Sequence, residues 1–498
     1  MKNVRRTLSA LLALLTVSGV FASCAQDPSG TVPSDDTAAS ETTTQAPETT
    51  AKTYTPDLPE KNFNGKELKA LTFQKSSAAI TDLCAYETMG EPLNDAIYKR
   101  NSTIEERYKI DLVIDEQVKN DCKKIVESAL LAHEDRWGFL DIAIRETVQF
   151  ASAGYLHDLV PLDYIDPEAE WWDQRCREEM SILGKVFFLI GDINLFATSE
   201  TYGLIFNKEV AEAFEVGDLY SMVHEGKWTI DAMYTMITKV AGDVDGNGVM
   251  DQNDRYGLYT QNDMMNFYNG AGVRIALKDK DDVPYLVGIT DRGIGALEKG
   301  HKIMSDANTV FAGDQRNKTI GAKSIYTEII IPAFKNNLGL FYSTGIGNTY
   351  KNLRDMEAEY GIVPIPKYDE AQEEYYCGLL ESWATVVSIP KTASDPDFPA
   401  FILEALSAES VLTVTKTWNE QCFNTKGVRD EESIHMAELI AKSRCYDIGY
   451  FFGWGSIGKP IKNQGAAATM NFASKYASLE SKAQLALEDT LKLFKSNT

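Results

Sequence analysis

Twelve consecutive residues, 243–254, have the oxygen spacing of a calcium-binding loop. The residues at loop positions 1, 3, 5, 7, 9 and 12 are Asp243, Asp245, Asn247, Val249, Asp251 and Asp254. Five side chains and the Val249 carbonyl can supply the hard oxygens that Ca²⁺ requires, and Gly248 stands at the sharp turn of position 6. The spacing predicts a structural Ca²⁺, with Asp254 in place of the usual final Glu. An acidic surface loop without metal is the alternative.

A helix and a strand must hold this loop at its two ends. Ile230–Val240 has its apolar residues on one stripe, which predicts a helix, and Thr229 is placed to cap it. Residues 255–259 after the loop favour a turn into a strand rather than a second helix. The sequence contains no second copy of the loop, so we expect a single structural clamp rather than a paired calcium sensor.

Strands and helices alternate through the body of the chain. Alternation of this kind is typical of an α/β protein whose mainly parallel sheet is covered on both faces. The apolar pattern predicts strands at 68–73, 110–114, 140–144, 186–190, 203–206, 361–365 and 384–389, and further helices at 94–108, 125–133 and 474–494.

The N-terminus has the pattern of an export signal. Lys2, Arg5 and Arg6 precede an apolar run at 8–22, which is too short for an ordinary membrane span. The run ends in Phe-Ala-Ser-Cys, which resembles a bacterial lipobox. We therefore expect residues 1–23 to be removed, Cys24 to carry the lipid, and the Ser/Thr/Pro-rich segment 24–61 to be a disordered tether. Ordinary secretion, with cleavage near Ala25, is the alternative.

The charge and the cysteines exclude several classes of function. The chain has 73 acidic and 49 basic residues, a formal net charge of −24. A surface this negative repels phosphate backbones, so we expect no nucleic-acid partner. The six cysteines after Cys24 form no CxxC zinc pattern, and their spacing selects no particular disulfide pairing.

Motifs of catalysis are weak in this sequence. His133 and Glu134 lack the second histidine of an HExxH metal site, Ser456 lacks the first glycine of a nucleophile elbow, and there is no P-loop. We therefore expect a binding protein rather than an enzyme. A lipid-anchored glycoside hydrolase and a surface carbohydrate-binding protein without a role in transport remain open.

Several blocks along the chain resemble family 1 extracellular solute-binding proteins of bacterial ABC importers. The blocks are Trp171-Trp172, Gly184-Lys185-Val186-Phe187-Phe188, Gly203-Leu204-Ile205-Phe206-Asn207-Lys208, Gly226-Lys227-Trp228-Thr229-Ile230-Asp231, the calcium loop with Tyr256-Gly257-Leu258, Gly361-Ile362-Val363-Pro364-Ile365-Pro366-Lys367-Tyr368-Asp369 and Ser388-Ile389-Pro390-Lys391. The resemblance covers roughly residues 62–498 and rests on the order of the blocks.

The resemblance implies a type II periplasmic-binding-protein-like fold of two lobes with a ligand cleft between them. One lobe would hold 62–197 and 362–415, and the other 198–361 and 416–498. Such a protein is a monomer held by its lipid on the outer face of the cell membrane, where it delivers a sugar or oligosaccharide to a permease. A peptide or another polar solute is the alternative ligand.

Candidate ligand residues follow from the chemistry of sugars and from position in the chain. A sugar has apolar faces and hydroxyl edges, so its site combines aromatic rings with carboxylates, amides or Arg. Arg145 and Glu146 follow a predicted strand, where α/β sheets often place ligands. The candidates are Trp172, Tyr202, Glu381, Trp383, Trp454, Arg145 and Glu146.

Overall fold

Two open β-sheets carry the fold, and helices cover them. The structure is a computed structural model that describes residues 54–75, 80–465, 467 and 469–496. The predicted signal peptide, Cys24 and the tether as far as residue 53 lie outside the described residues. The described strands are β1 (Lys66–Phe73), β2 (Ile110–Gln117), β3 (Phe139–Ala143), β4 (Tyr202–Asn207), β5 (Tyr256–Thr260), β6 (Ala276–Lys278), β7 (Pro284–Leu286), β8 (Val310–Ala312), β9 (Gly339–Gly345), β10 (Tyr360–Val363) and β11 (Thr385–Ser388).

The helices alternate with these strands along most of the described chain. They are α1 (Pro92–Tyr108), α2 (Lys119–Leu131), α3 (Ile144–Ser152), α4 (Gln174–Met180), α5 (Leu195–Ser199), α6 (Lys208–Ala213), α7 (Leu219–His224), α8 (Ile230–Val240), α9 (Met264–Gly270), α10 (Asp291–Ser305), α11 (Gly313–Ile320), α12 (Ile331–Lys335), α13 (Asp397–Ser410), α14 (Glu431–Lys442), α15 (Ile448–Phe452), α16 (Lys459–Gln464) and α17 (Phe472–Ser496). π-Helical turns cover Tyr326–Ile330, Thr349–Leu353, Val411–Thr415 and Trp418–Gly427, and a 3₁₀ turn covers Trp454–Ser456.

The first sheet has the strand order β11-β3-β1-β2. Its strands β1, β2 and β3 run parallel, and β11 runs antiparallel to β3. All five residues of β3 are buried, as expected of a parallel strand that is covered on both faces. The carboxyl ends of the parallel strands therefore lie at one edge of this sheet. The helices α2 and α3, which follow β2 and β3, begin at that edge.

The second sheet has the order β10-β4-β9-β5-β8. Strands β5, β8 and β9 are parallel, whereas β4 is antiparallel to both β9 and β10. The chain passes between the two sheets after β3, between β10 and β11, and along the helical stretch after α13. The predicted lobe bounds stay predictions, although the pairing of Ile362 and Val363 with β4 places β10 wholly in the second sheet.

Periodicity predicted several elements well. Helix α8 has the predicted bounds, its buried residues form one stripe, and the Thr229 side chain accepts a hydrogen bond from the Ala232 backbone amide at its N-terminus. Strand β5 directly follows the calcium loop, as predicted. These elements form because apolar side chains recur at the helical or strand period on a face that the core can bury.

Two sequence predictions need correction. Residues 186–190 were expected to form a strand, but only Leu189 forms a bridge, to Val387 of β11; five successive apolar residues are buried here without a ladder. The last residues of the expected tether are in contact with the body, because Leu58 packs against the core and the Lys61 ammonium donates to the Tyr164 hydroxyl at 2.6 Å.

The continuous helical stretch Asp397–Thr415, which comprises α13 and the π-helical turn after it, is long and apolar enough to span a membrane. Of its most apolar 18-residue window, 72% is buried inside the protein. Its residues Phe398, Phe401 and Leu406 belong to the apolar core beside the first sheet. This burial is that of a core helix, whose apolar surface is already covered by protein.

Candidate ligand-binding cleft

A cavity of about 330 Å³ lies between the edges of the two sheets. Arg145 reaches it from the start of α3, directly after β3, whereas Gln261 follows β5 and Asp314 follows β8. Open α/β sheets place ligands outside the carboxyl ends of their strands because the chain there turns into loops and helix starts. We call this space the amide cavity, after the five side chains Gln261, Asn262, Asn266, Asn269 and Asn463 that line it.

The second-sheet wall of the amide cavity presents hydrogen-bond acceptors that lack protein donors. The Oδ1 atoms of Asn262 and Asn269 are buried and have no hydrogen-bond partner among the described residues. Asn269 is only 5% exposed. A buried acceptor without a donor costs about 1–3 kcal/mol, so these atoms are placed for the hydroxyl or amine donors of a ligand.

A buried carboxylate supports this wall from below. Asp263 precedes α9 and is 2% exposed, and its Oδ1 accepts a hydrogen bond from Asn266 Nδ2 at 3.2 Å. Burial raises the pKa of Asp263 to about 6, although hydrogen bonds from neighbouring side chains oppose the shift. Helix α9 places Asn266 and Asn269 three residues apart, and therefore on one face. Asp263 thus fixes the orientation of an amide that lines the cavity.

The first-sheet wall is charged rather than neutral. Arg145 donates through Nε and Nη2 to Glu146 Oε1 at 3.0 and 2.7 Å. Glu381 belongs to the same wall, because its carbonyl accepts a hydrogen bond from the Arg145 backbone amide at 3.2 Å. Its Oε1 accepts a hydrogen bond from Lys462 of α16 at 2.7 Å, so an ion pair joins the two walls across the cavity.

Two tyrosines close the amide cavity. Tyr202 lies at the start of β4, and Tyr450 lies in α15 beside Glu381. Burial, with the neighbouring carboxylates, raises the pKa of both phenols well above the ordinary value. Both hydroxyls are therefore neutral at physiological pH, and each can donate to and accept from a polar ligand.

The structure brings some of the predicted ligand residues together. Arg145, Tyr202 and Glu381 line the amide cavity, and Glu146 lies beside it through its contact with Arg145. Trp383 lies on the same edge of the first sheet, where its ring packs against Phe73 and Phe196. Sequence reasoning missed the amides. Their position directly after β5, and the spacing of Asn266 and Asn269 within α9, could have identified them.

Two predicted tryptophans, Trp172 and Trp454, lie outside the amide cavity, and their role in ligand binding stays a prediction. Trp172 is 2% exposed, and its Nε1 donates to Glu404 Oε2 at 3.0 Å. Trp454 is 3% exposed, stacks on Phe452 and donates through Nε1 to the Thr490 hydroxyl at 3.0 Å. In both cases the large apolar ring is buried and its N–H is satisfied inside the protein.

A larger cavity of about 560 Å³ lies beyond the crossover segments. Trp171, Trp418 and Phe423 give it an aromatic lining, and we call it the tryptophan cavity. Thr198 and Arg444 line this cavity, whereas Tyr202 and Cys445, which lie close to them in the chain, line the amide cavity. The segments that cross between the two sheets therefore separate the two cavities. In these segments Thr201 forms a bridge to Leu379, and Cys377 forms a bridge to Arg444.

The predicted calcium loop is folded around its carboxylates. One oxygen each of Asp243, Asp245 and Asp254 lies within 4.8 Å of the others, a separation of about twice a Ca²⁺–oxygen distance. Asp243 accepts from the amides of Gly246 and Gly248, both at 2.7 Å. These amides lower the pKa of Asp243. Gly248 has φ +82°, which glycine adopts without strain. The donor set fits a hard divalent cation.

The other predicted calcium ligands lie in the same loop. Asn247 and Val249 are exposed, and the Asn247 Oδ1 accepts from the Val249 amide at 2.7 Å. Asp251 lies near the end of the loop, where its amide donates to Asp254 Oδ2 at 2.8 Å. The six residues therefore belong to one closed turn between α8 and β5.

No protein-family model matches the chain, and no curated protein is similar to it in sequence. Solved structures are similar in fold. An ABC substrate-binding protein from Listeria monocytogenes in complex with cycloalternan superimposes with a TM-score of 0.54 at 12% identity, over 86% of this chain and 99% of that one. The sugar-binding protein MalE from Xanthomonas citri gives 0.55 at 12% identity, with the same coverage. The chain has the fold of two-lobed solute-binding proteins.

A third similar structure is the GacH receptor of Streptomyces glaucescens, described unliganded and with acarbose. It has a TM-score of 0.51 at 14% identity, over 86% of this chain and 99% of that one. At such identities the likeness is one of fold. The predicted α/β, two-lobed, periplasmic-binding-protein-like architecture is confirmed, and the amide cavity lies between the two sheets of that architecture.

Proposed function

We propose that this protein is the solute receptor of an ABC importer and that it binds a saccharide in the amide cavity. The observation that carries this proposal is the pair of buried acceptors, Asn262 Oδ1 and Asn269 Oδ1, which lack donors from the protein. Saccharide hydroxyls supply such donors, and each hydroxyl can also accept from an amide N–H. The phenols of Tyr202 and Tyr450 add apolar area with a polar tip.

Three structures of similar fold support this choice. Two were solved in complexes, one with cycloalternan and one with acarbose, and the third is a sugar-binding protein. The amide cavity, at about 330 Å³, is at the small end of the usual range for small-molecule sites. We therefore expect a short saccharide, or the end of a longer one, to occupy it.

Binding in this position would favour a closed arrangement of the two lobes. A ligand that touches both walls makes all its contacts only when the walls are close together, so it stabilises that state. The proposed readout is recognition of the closed, loaded receptor by a membrane permease. Lipid attachment at Cys24, on the outer face of the cell membrane, would keep a monomeric receptor close to that permease.

A calorimetric screen of mono- and oligosaccharides tests the proposal. We expect one class of saccharide to bind, and chromatography after prolonged incubation to recover it intact. Asp314 and Glu381 both line the cavity, so turnover that is abolished by Asp314→Asn and Glu381→Gln would support a hydrolase instead. Absence of binding across saccharides, with binding of peptides, would overturn the choice of ligand.

We also propose that the loop 243–254 holds a structural Ca²⁺. Three carboxylates lie within 4.8 Å of one another, and their mutual repulsion would be relieved by a divalent cation. EDTA is then expected to lower the melting temperature by several degrees, because a ligand that binds only the folded state stabilises it.

The Asp243→Ala, Asp245→Ala double variant tests this assignment, and it should melt at the same temperature with and without EDTA. A matched control is Asp279→Ala with Asp281→Ala, in another exposed acidic turn, which should keep the full response to EDTA. An EDTA response that persists in the loop variant would show that the metal, if any, binds elsewhere.

A further inference from the structure

Lys119 does not line the amide cavity but interacts electrostatically with Arg145 and Glu381, which do, and it has no ion-pair partner among the described residues. Lys119 Nζ lies 4.4 Å from the centre of the Trp383 ring. In the described part of the chain, no carboxylate oxygen lies within 4.0 Å of this ammonium. Lys119 is partly buried, and this burial lowers its pKa. The ammonium has therefore lost part of its hydration without gaining a close counter-ion.

The two neighbouring carboxylates each have a cation partner, although Glu146 Oε2 is buried without a hydrogen-bond partner among the described residues. Arg145 contacts Glu146 at 2.7 Å, and Lys462 contacts Glu381 at 2.7 Å. Glu146 and Glu381 do act on Lys119 through space and raise its pKa, whereas Arg145 lowers it. Lys119, Arg145 and Lys462 are three cations against the two carboxylates of Glu146 and Glu381, so this group of five side chains has one positive charge in excess, and Lys119 is the member without an ion pair.

The position of Lys119 in its helix increases this excess. Lys119 is the first residue of α2, and the preceding Val118 provides no side-chain cap. A helix N-terminus carries partial positive charge, so a lysine at this position is unfavourable and an anion is favourable. Since β2 ends at Gln117, the residue follows the carboxyl end of a parallel strand, at the edge from which Arg145 and Glu381 line the amide cavity.

We propose that the ligand is an acidic saccharide whose carboxylate pairs with Lys119 while its hydroxyl groups occupy the amide cavity. This inference rests on the saccharide-receptor function proposed above and specifies its ligand class. A uronic acid residue carries one negative charge, which matches one unpaired ammonium. A phosphate monoester carries about −1.5 to −2 charges and would leave negative charge unpaired on a protein whose net charge is already −24.

Calorimetry with matched ligand pairs tests the inference. Each uronic acid oligosaccharide is compared with its methyl ester and with the neutral sugar of the same structure. A sulfated sugar and a phosphorylated sugar of the same length are measured as well. We expect the uronate to bind at least tenfold more tightly than its ester. Lys119→Met should remove about 10- to 100-fold of that affinity, as expected for a hydrogen bond to a charged group, and should change binding of the neutral sugar less than threefold.

Lys123→Met is the matched control, since Lys123 lies one turn further along α2 and contacts Gln149 at 2.7 Å. It should leave both affinities unchanged. Neutral sugars that bind as tightly as uronates, with no effect of Lys119→Met, would overturn the inference and leave the saccharide receptor standing. Preference for the sulfated or phosphorylated sugar would overturn the choice of carboxylate. Binding of no saccharide at all would overturn the proposed function itself.

Discussion

The two walls of the amide cavity use different chemistry. The second-sheet wall presents neutral amides around α9, with Asp263 fixing one of them from below. The first-sheet wall presents charges at the starts of α2 and α3, and it is joined to Lys462 across the cavity through Glu381. Amides recognise hydroxyl patterns, whereas charges distinguish ligands by their net charge.

This difference assigns different tasks to the two walls. The buried acceptors of Asn262 and Asn269 are fixed by their elements and need only ligand donors, so they should act on every saccharide that fits. The charged wall should act only on ligands that carry charge, and its partly exposed ion pairs are screened by water and salt. The comparison therefore predicts that variants of the two walls separate general affinity from charge preference.

The largest expected effect is the loss of the neutral wall. Asn262→Ala with Asn269→Ala removes two sets of uncharged hydrogen bonds, each worth about 1 kcal/mol or more. We expect affinity to fall about 30- to 100-fold for acidic and neutral saccharides alike, measured by calorimetry.

Asn419→Ala with Asn424→Ala is the control, because both residues line the tryptophan cavity instead. This control should bind normally. Equal losses in the two double variants would remove the distinction between the cavities.

The support of the neutral wall is expected to depend on pH. Burial raises the pKa of Asp263 to about 6, above its unfolded value, so this group stabilises the folded state most below about pH 4. That contribution is lost progressively as the pH rises from about 4 through 6, and it amounts to about 2–3 kcal/mol. Asp263→Asn should therefore flatten the fall in stability between about pH 4 and pH 7 in denaturant titrations.

Asp489→Asn, at an exposed position of α17, should keep the wild-type slope. If the Asp263→Asn variant keeps the wild-type dependence of stability on pH, then the pKa of Asp263 is not raised by burial. Burial also raises the pKa of Asp141 to about 7 and the pKa of Asp192 to about 6. These two groups make stability fall in the same direction, so the test compares the slope of the variant with that of the wild type.

The smallest expected effect concerns the ion pair across the cavity. Glu381→Gln leaves the Lys462 ammonium without its partner, so an acidic saccharide should bind about 3- to 5-fold more tightly, in line with the small energies of exposed ion pairs. A neutral saccharide should bind as before. Competition calorimetry measures the affinities of both saccharides. An equal change for the two ligands would show that Glu381 affects binding through the shape of the cavity rather than through its charge.

Most of the fold could be predicted from the sequence because periodic patterns reflect burial. The stripe of α8 and the alternation in β1 indicated single elements of an α/β protein, and the resemblance carried by the order of the blocks implied its two lobes. Residues 186–190 show the limit of this reasoning. A run of apolar residues indicates burial but not a ladder, and here Phe187 packs on Phe494 of α17 while only Leu189 forms a bridge.

The site was harder to predict than the fold. Tryptophan rings are natural platforms for a sugar, but burying a large ring is itself favourable, and Trp172 and Trp454 are packed inside the protein. The amides form no periodic pattern, and their relation to the first sheet depends on long-range topology. Arg145, Tyr202 and Glu381 line the amide cavity because they stand next to strand ends and crossovers, which the order of elements already located, and their role in binding stays a prediction.

A crystal structure of the protein with its saccharide tests the central claim most directly. The account predicts an intact ligand in the amide cavity, with hydroxyl oxygens at hydrogen-bonding distance, about 2.7 Å, from the Oδ1 atoms of Asn262 and Asn269. A saccharide bound in the tryptophan cavity or on the outer surface, or one cleaved between the walls, would contradict it.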